Sequence, residues 1–299
     1  MESLSLKLWV RSVLGFLSCA SLTPKDEWLS EFTPGQLTSL DLQGIDLFTF
    51  WQLFPDVEPH YNYFCELDNI AIVETISYGD WWNRIDSATR AMVRKSKKLG
   101  VEVREAQLDE SYVRGITDIF NETPYRQGRR YRRYGSTFED VKRSFESDSP
   151  EDIHLGAYFK GEVIGMAHIM RGERFSFIST IQAYERHFDK GVMNALIAQA
   201  IESCARRGIR YLAYEKMTYD GLGAFKRHNG FEKHLVPRYY VPLTWNGKLA
   251  LALHLHKGLR GLIPVSVKRF AKMCIKRMSI HNPFRKMRKL STAVKKGGS

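Results

Sequence analysis

Cysteine is scarce in this chain. There are four in 299 residues, at positions 19, 65, 204 and 274, and no two form a C-x-x-C pair. That spacing offers neither a disulfide framework nor a zinc site. The nine histidines show no H-E-x-x-H pattern, so no metal is expected. Cysteine usage of this kind fits a reducing, cytoplasmic setting. Long apolar runs are also missing, and none approaches the roughly 20 residues of a membrane-spanning helix. Residues 12–21, preceded by Lys7 and Arg11, loosely resemble a secretory signal. Against that, Glu2 opens the chain, Gly15 and Ser18 break the run, and no A-x-A site follows.

Acidic residues are absent from the C-terminal stretch. Residues 257–299 carry 13 Lys and Arg and no Asp or Glu. The whole chain has 45 basic and 33 acidic residues, net +12, which leaves 32 basic against 33 acidic before position 257. The excess belongs to the tail, and generic nucleic-acid affinity is not a property of the core. Within the tail, Val267, Phe270, Ala271, Cys274 and Met278 share one arc of a helical wheel. Lys268, Arg269, Lys272 and Lys276 fall opposite. A basic amphipathic helix of this kind lies well on an anionic membrane, each cation contributing about 1 kcal/mol. The expected partner of residues 257–299 is an anionic membrane surface, at the inner face. The other readings are a disordered basic end with no partner and, after it, a tRNA contact.

Three parts precede or include that tail: an N-terminal extension over 1–84, a core over 85–245 and the basic end over 246–299. The extension opens with a possible amphipathic helix to about residue 22. A strand is expected over 70–76, and a helix from Asp80. In the core, 87–99 reads as a helix stopped by Gly100, and 101–104 alternates as a strand. A helix follows over 109–120 with an Asp cap, then one from Thr137 with Asp140 three residues on. Residues 155–159 and 163–170 form a hairpin around Lys160-Gly161. A strand over 174–181 leads to a helix over 191–207 with Met193, Ile197, Ile201 and Cys204 on one stripe. Strands are expected over 211–217 and within 231–243, separated by a short helix.

The segment Gly221-Leu222-Gly223-Ala224-Phe225-Lys226-Arg227-His228-Asn229-Gly230-Phe231 is the most distinctive. A helix, a buried strand, a short helix bearing Phe-Lys-Arg, then Gly-Phe and a strand resemble the end of GNAT acyltransferases. Residues 89–103 add an Arg-x-x-x-Arg-Lys-x-x-x-x-Gly-Val helix-to-strand passage similar to the Fem-like branch of aminoacyl ligases and acetyltransferases. The resemblance covers about residues 80–243. It implies an α/β (α+β) GNAT fold, with a mixed central sheet flanked by helices. It also implies N-acyl transfer from acyl-CoA (acetyl-CoA) to an amine of a small or cell-envelope precursor. Two alternatives are an aminoacyl-tRNA-dependent Fem-type ligase and a non-catalytic module that binds membrane or RNA.

The resemblance places the CoA pyrophosphate at a helix N-terminus, where free N–H groups and the helix dipole hold anions. Here that is Lys190, Gly191, Val192 and Met193, with Phe225 packed under the short helix. Met193 stands where a second small residue is usual. Lys226 matches the Fem-type lysine implied to stabilise developing negative charge. Glu215 and His187 are candidate bases for the acceptor amine, and Tyr219 a proton donor to the leaving group. His168, amid apolar neighbours, reads as a core or groove histidine. Five arginines and three tyrosines fall in ten residues from Tyr125 to Tyr134. Guanidinium forks pair with phosphate or carboxylate, so Arg126, Arg129, Arg130 and Tyr134 are expected to hold an anionic acceptor.

Overall fold

The computed structural model describes residues 7–258, except Gln127 and Ser147, and the side chains of Pro24 and Lys25 are left aside. The basic tail, including the 264–278 wheel, lies outside the described residues. The chain divides into two compact units. Among the described residues, the first comprises 7–9, 21–41 and 49–240, and the second 10–20, 42–48 and 241–258. No helix among the described residues is long and apolar enough to cross a membrane.

Among the described residues there are twelve strands and eight α-helices. The chain begins β1 (Leu8–Val13), β2 (Leu17–Leu22), α1 (Pro24–Leu29), β3 (Leu47–Trp51), β4 (Phe64–Glu74) and α2 (Tyr78–Arg84). It continues α3 (Ser87–Lys98), β5 (Val101–Glu105), α4 (Glu110–Asn121), β6 (Tyr125–Arg126), β7 (Arg129–Arg130) and α5 (Phe138–Glu146). Then come β8 (Ile153–Phe159), β9 (Glu162–Arg171), β10 (Ser176–Ala183) and α6 (Val192–Arg206). It closes with β11 (Tyr211–Ala213), α7 (Gly221–His228), β12 (Glu232–Pro242) and α8 (Trp245–Ala252).

Local signals set most helix starts. Asp86, Asp109 and Asp220 each accept a backbone N–H three residues on, capping α3, α4 and α7. Thr137 and Asp140 bond reciprocally ahead of α5. Gly100 ends α3 at φ +85°. The N-terminal helix expected before residue 22 is instead the β1–β2 hairpin, turned by Leu14 and Gly15 at φ +57° and +80°. Val10, Val13 and the alternating pattern suit strands, and the positive φ at Gly15 supplies the turn.

In the first unit the strand order is β12-β4-β11-β10-β9-β8-β5. The β8–β9 hairpin pairs His154 with His168. β4 lies antiparallel to both β11 and β12, with Ile72 facing Ala213 on one side and Glu232 on the other. Residues 64–74 are therefore an interior strand of this sheet, not an extension packed on a finished core, and the boundary expected at residue 84 is corrected. Helices α4 and α6 bury Ile116, Ile119 and Phe120, and Leu196, Ile197 and Ile201, in one core with Leu155, Met166 and Ile178 of the sheet.

Candidate active site

Parallel pairing of β10 with β11 covers only Ser176 with Leu212 and Phe177 with Ala213. Beyond these residues the strands part. Open sheets bind ligands beyond their strand ends where neighbouring strands diverge. On the β10 side the opening begins at a bulge. Ile178 faces Ile169 and Thr180 faces His168, which leaves Ser179 as the extra residue.

Ser179 Oγ lies 2.9 Å from His168 Nδ1 and 3.2 Å from the His168 carbonyl oxygen, and its one proton can serve either acceptor. His168 Nε2 lies 3.1 Å from Asp152 Oδ2. Asp152 also accepts the Arg171 N–H at 2.8 Å and the Ser149 N–H at 3.3 Å. Burial alone would raise the Asp152 carboxyl. The bonds from His168, Arg171 and Ser149 outweigh it and hold the group below the usual carboxylate range. An anion is thus fixed on one ring nitrogen and a hydroxyl on the other, the arrangement that makes imidazole a base. A cleft of about 250 Å³ opens here, lined by Phe120, Arg133, Phe145, Met166, His168 and Ser179.

His154 stacks on His168 with centroids 4.4 Å apart and planes 12° from parallel. Burial, then His168, pushes His154 down to about 4, so it is neutral at pH 7. Asp148 lies 3.4 Å from His154 Nε2 and 3.5 Å from His168 Nε2. The three residues bring possible ligand atoms together. With the rings stacked, however, an ion in the plane of one imidazole is well outside the plane of the other, and imidazole binds metal along its in-plane lone pair.

Across the opening, Tyr214 N donates to Ala71 O at 2.9 Å and Ala71 N donates to Glu215 O at 2.7 Å. Two residues therefore face one, and Glu215 sits at φ +46°. Lys226 holds this bulge. Its ammonium is fully buried, donates to Tyr214 O at 2.6 Å and Lys216 O at 2.9 Å, and lies 4.2 Å over the Tyr214 ring. Burial pushes Lys226 down to about 8, with Glu215 and Asp220 pulling it back up. The expectation that Lys226 faces reacting charge is corrected for this conformation: two of its donors serve carbonyls and water cannot reach it. Close packing sets α7 itself, since a Cβ on Gly223 would lie 1.8 Å from the Thr218 carbonyl. Phe225 is half-buried against the main core. Glu215 is exposed, and Tyr219 is 84 % exposed.

The loop from β10 to α6 departs from expectation. Gly191 and Val192 are buried, and Met193 is half-buried. Gly191 adopts φ +73°, and a Cβ there would stand 2.6 Å from the Met92 carbonyl. Helix α3 packs against both α6 and the preceding 3-10 turn, so this helix N-terminus is covered by the chain itself. The expected pyrophosphate seat is corrected accordingly. Lys190 pairs with Asp189 at 3.6 Å and lies 5.4 Å over the Phe159 ring. His187 is lowered by desolvation, then by Lys190 and Arg186. Its Nδ1 is buried with no partner among the described residues.

The arginine hairpin divides in two. Arg126 donates to Gln182 Oε1 and Ala183 O, both at 3.1 Å, and to Ile119 O at 2.7 Å. Glu122, beside it at 3.4 Å, accepts the Glu185 N–H at 2.7 Å. Arg126 is thus a clamp between α4 and the end of β10, which corrects its assignment to the acceptor. Arg129, Arg130 and Tyr134 are exposed. Arg133, 5.1 Å over the Phe120 ring, reaches the cleft.

Sequence reasoning took His168 for a core or groove histidine and passed over Asp152 and Ser179. Counting outward from Lys160-Gly161 sets His154 opposite Ala167, and only the register shift between Ala157 and Tyr158 brings it opposite His168. No local pattern in the sequence marks that pair.

A mixed sheet that opens between two parallel strands, with a bulge at the opening, defines an acyl-transfer fold. Residues 113–231 match the acetyltransferase (GNAT) family, so this part of the chain is a GNAT domain of the N-acyltransferase kind. Solved structures share the fold over most of the chain. FemX is 11 % identical with a TM-score of 0.51, covering 83 % of this chain and 86 % of that one. L-PGS from Bacillus licheniformis is 14 % identical at 0.51, covering 83 % and 85 %. A C-terminal DUF2156 domain from Agrobacterium fabrum is 11 % identical at 0.53, covering 82 % and 83 %. No curated protein matches the chain.

Proposed function

We propose that this protein moves an acyl group onto the amine of a small or cell-envelope precursor that carries phosphate or carboxylate. The observation that carries the reading is the Asp152–His168–Ser179 line at the bulge where β10 leaves β11. The amine attacks the acyl carbonyl. Its proton passes to His168 through the Ser179 hydroxyl, and Asp152 stabilises the imidazolium that forms. The C–N bond forms, the bond from acyl carbon to the donor's sulfur or oxygen breaks, and the leaving atom takes the proton back from the His168 imidazolium. Exposed Arg129 and Arg130, with Arg133 at the cleft, supply cations for the acceptor's anion.

GNAT enzymes generally draw the acyl group from acyl-CoA. The burial of Gly191 under the Met92 carbonyl favours the other donor reading, an aminoacyl ester of tRNA, which needs no pyrophosphate seat at α6. FemX, among the structures of like fold, accords with that choice. The purified protein is tested with acetyl-CoA and with aminoacyl-tRNA, following transfer to amines with and without a phosphate. Transfer from the ester and no thermal shift with acetyl-CoA is the expected result. Efficient transfer from acetyl-CoA overturns the donor assignment, and loss of preference for phosphorylated amines overturns the acceptor assignment.

A further inference from the structure

Helix α8 of the second unit is apolar on two opposite faces. Its inward face is Gly247, Ala250 and Leu251, all buried. Gly247 rests on the backbone of Asp46, where a Cβ would stand 2.1 Å from the carbonyl. Asp46 also accepts the Leu243 N–H at 2.9 Å, and its carboxylate takes the Thr244 hydroxyl at the cap of α8. These bonds fix the roll of the helix. The outward face cannot turn in. It presents Trp245 at 82 %, Leu249 at 59 % and, one turn on, Leu253 at 50 % exposure. Lys248 lies 4.8 Å over the Trp245 ring at its edge. Exposed apolar stripes of this kind mark binding surfaces.

We propose that this stripe is the apolar half of an anchor for an anionic lipid bilayer. Tryptophan and leucine sit well at the boundary of headgroups and acyl chains, with lysine reaching the phosphates. Phe16, 61 % exposed in the turn of the β1–β2 hairpin, adds an apolar point in the same unit. The charge of the chain selects the occupant. The segment from residue 257 carries 13 cations and no acid and begins a few residues after the stripe ends. Against an anionic bilayer these cations attract. Against a second copy they would bring two uncompensated basic segments together, and an eight-residue helix falls short of the roughly 800 Å² per partner of a stable interface. The inference is independent of the donor and acceptor of the acyl transfer.

The test uses the full chain and vesicles of phosphatidylglycerol mixed with phosphatidylcholine, or of phosphatidylcholine alone, read by sedimentation. Trp245→Ser with Leu249→Ser removes the stripe at exposed positions, with melting curves to check the fold, and Trp245→Phe keeps its apolar character. The wild type and Trp245→Phe sediment with the anionic vesicles, and part stays bound at about 0.5 M salt, where charge attraction is screened. The double variant binds about tenfold more weakly or worse and is released completely by the same salt. Equal binding of wild type and double variant overturns the proposal, as does wild type that ignores anionic vesicles. A double variant that changes from dimer to monomer with vesicle binding unchanged overturns it in favour of a second copy.

Discussion

His168 and Asp152 face each other at 3.1 Å, and the far nitrogen of the same ring lies 2.9 Å from the Ser179 hydroxyl. If this line carries the proton from the acceptor amine, His168→Gln lowers kcat by about 10²- to 10⁴-fold. Asp152→Asn, which removes the anion and keeps the shape, has a smaller effect in the same direction. KM for the donor is unchanged in both. Initial rates with both variants, checked by melting curves, decide the matter. Wild-type kcat in His168→Gln would sink the assignment.

Arg126 and its neighbours in the hairpin predict opposite phenotypes. The Arg126 side chain is nearly buried and bonded to both α4 and the end of β10, so Arg126→Gln leaves Glu122 and the Ala183 carbonyl without their cation. A loss of about 3–5 kcal/mol is expected on breaking one partner of a buried pair. Arg129→Gln with Arg130→Gln changes stability by less than about 0.5 kcal/mol, as exposed substitutions do, and raises KM for the anionic acceptor. Urea unfolding and acceptor kinetics on the two proteins separate these roles. Equal stabilities would mean that the Arg126 network is idle.

Gly191 sits against the Met92 carbonyl at φ +73°. Gly191→Ala is therefore destabilising whatever the donor, through strain and backbone collision. The substitution reports on folding and says nothing of CoA. Acetyl-CoA leaves the melting temperature of the unaltered protein where it was, if the seat is closed as found. A clear rise on adding acetyl-CoA shows that α3 moves aside.

Much of this was legible locally. The caps at Asp86, Asp109, Thr137 and Asp220 act within three residues, so sequence spacing is enough to place α3, α4, α5 and α7. The Lys160-Gly161 hairpin is local in the same way. The partnership of β4 is not, because Ile72 finds Ala213 and Glu232 far along the chain and no short-range pattern encodes that choice. The site was harder still. Lys226 has the composition of a solvated helix face, and only tertiary packing buries it beneath Tyr214. His168 has the composition of a core position, and only the bulge at Ser179 and the return of Asp152 make it a polar centre.

The buried Lys226 gives a pH dependence whose sign can be worked out. Burial lowers its pKa from an ordinary lysine value to about 8, so between pH 8 and the unfolded value the unfolded chain binds a proton that the native state does not. Stability from this group therefore rises with pH across that window and is lost as pH falls through about 8. Buried tyrosines, Tyr214 among them, act in the opposite sense at higher pH, since burial raises them. The comparison must be made below pH 10 and against a variant. Lys226→Met deprives the Tyr214 and Lys216 carbonyls of their donor, costing about 1–3 kcal/mol for each acceptor left unsatisfied. The stability gap between wild type and Lys226→Met should then widen from pH 7.5 to pH 9.5 by on the order of 2 kcal/mol. Urea unfolding at the two pH values measures it. A gap that stays constant would mean that Lys226 keeps an ordinary proton affinity, and a gap that narrows would mean that its folded value is raised.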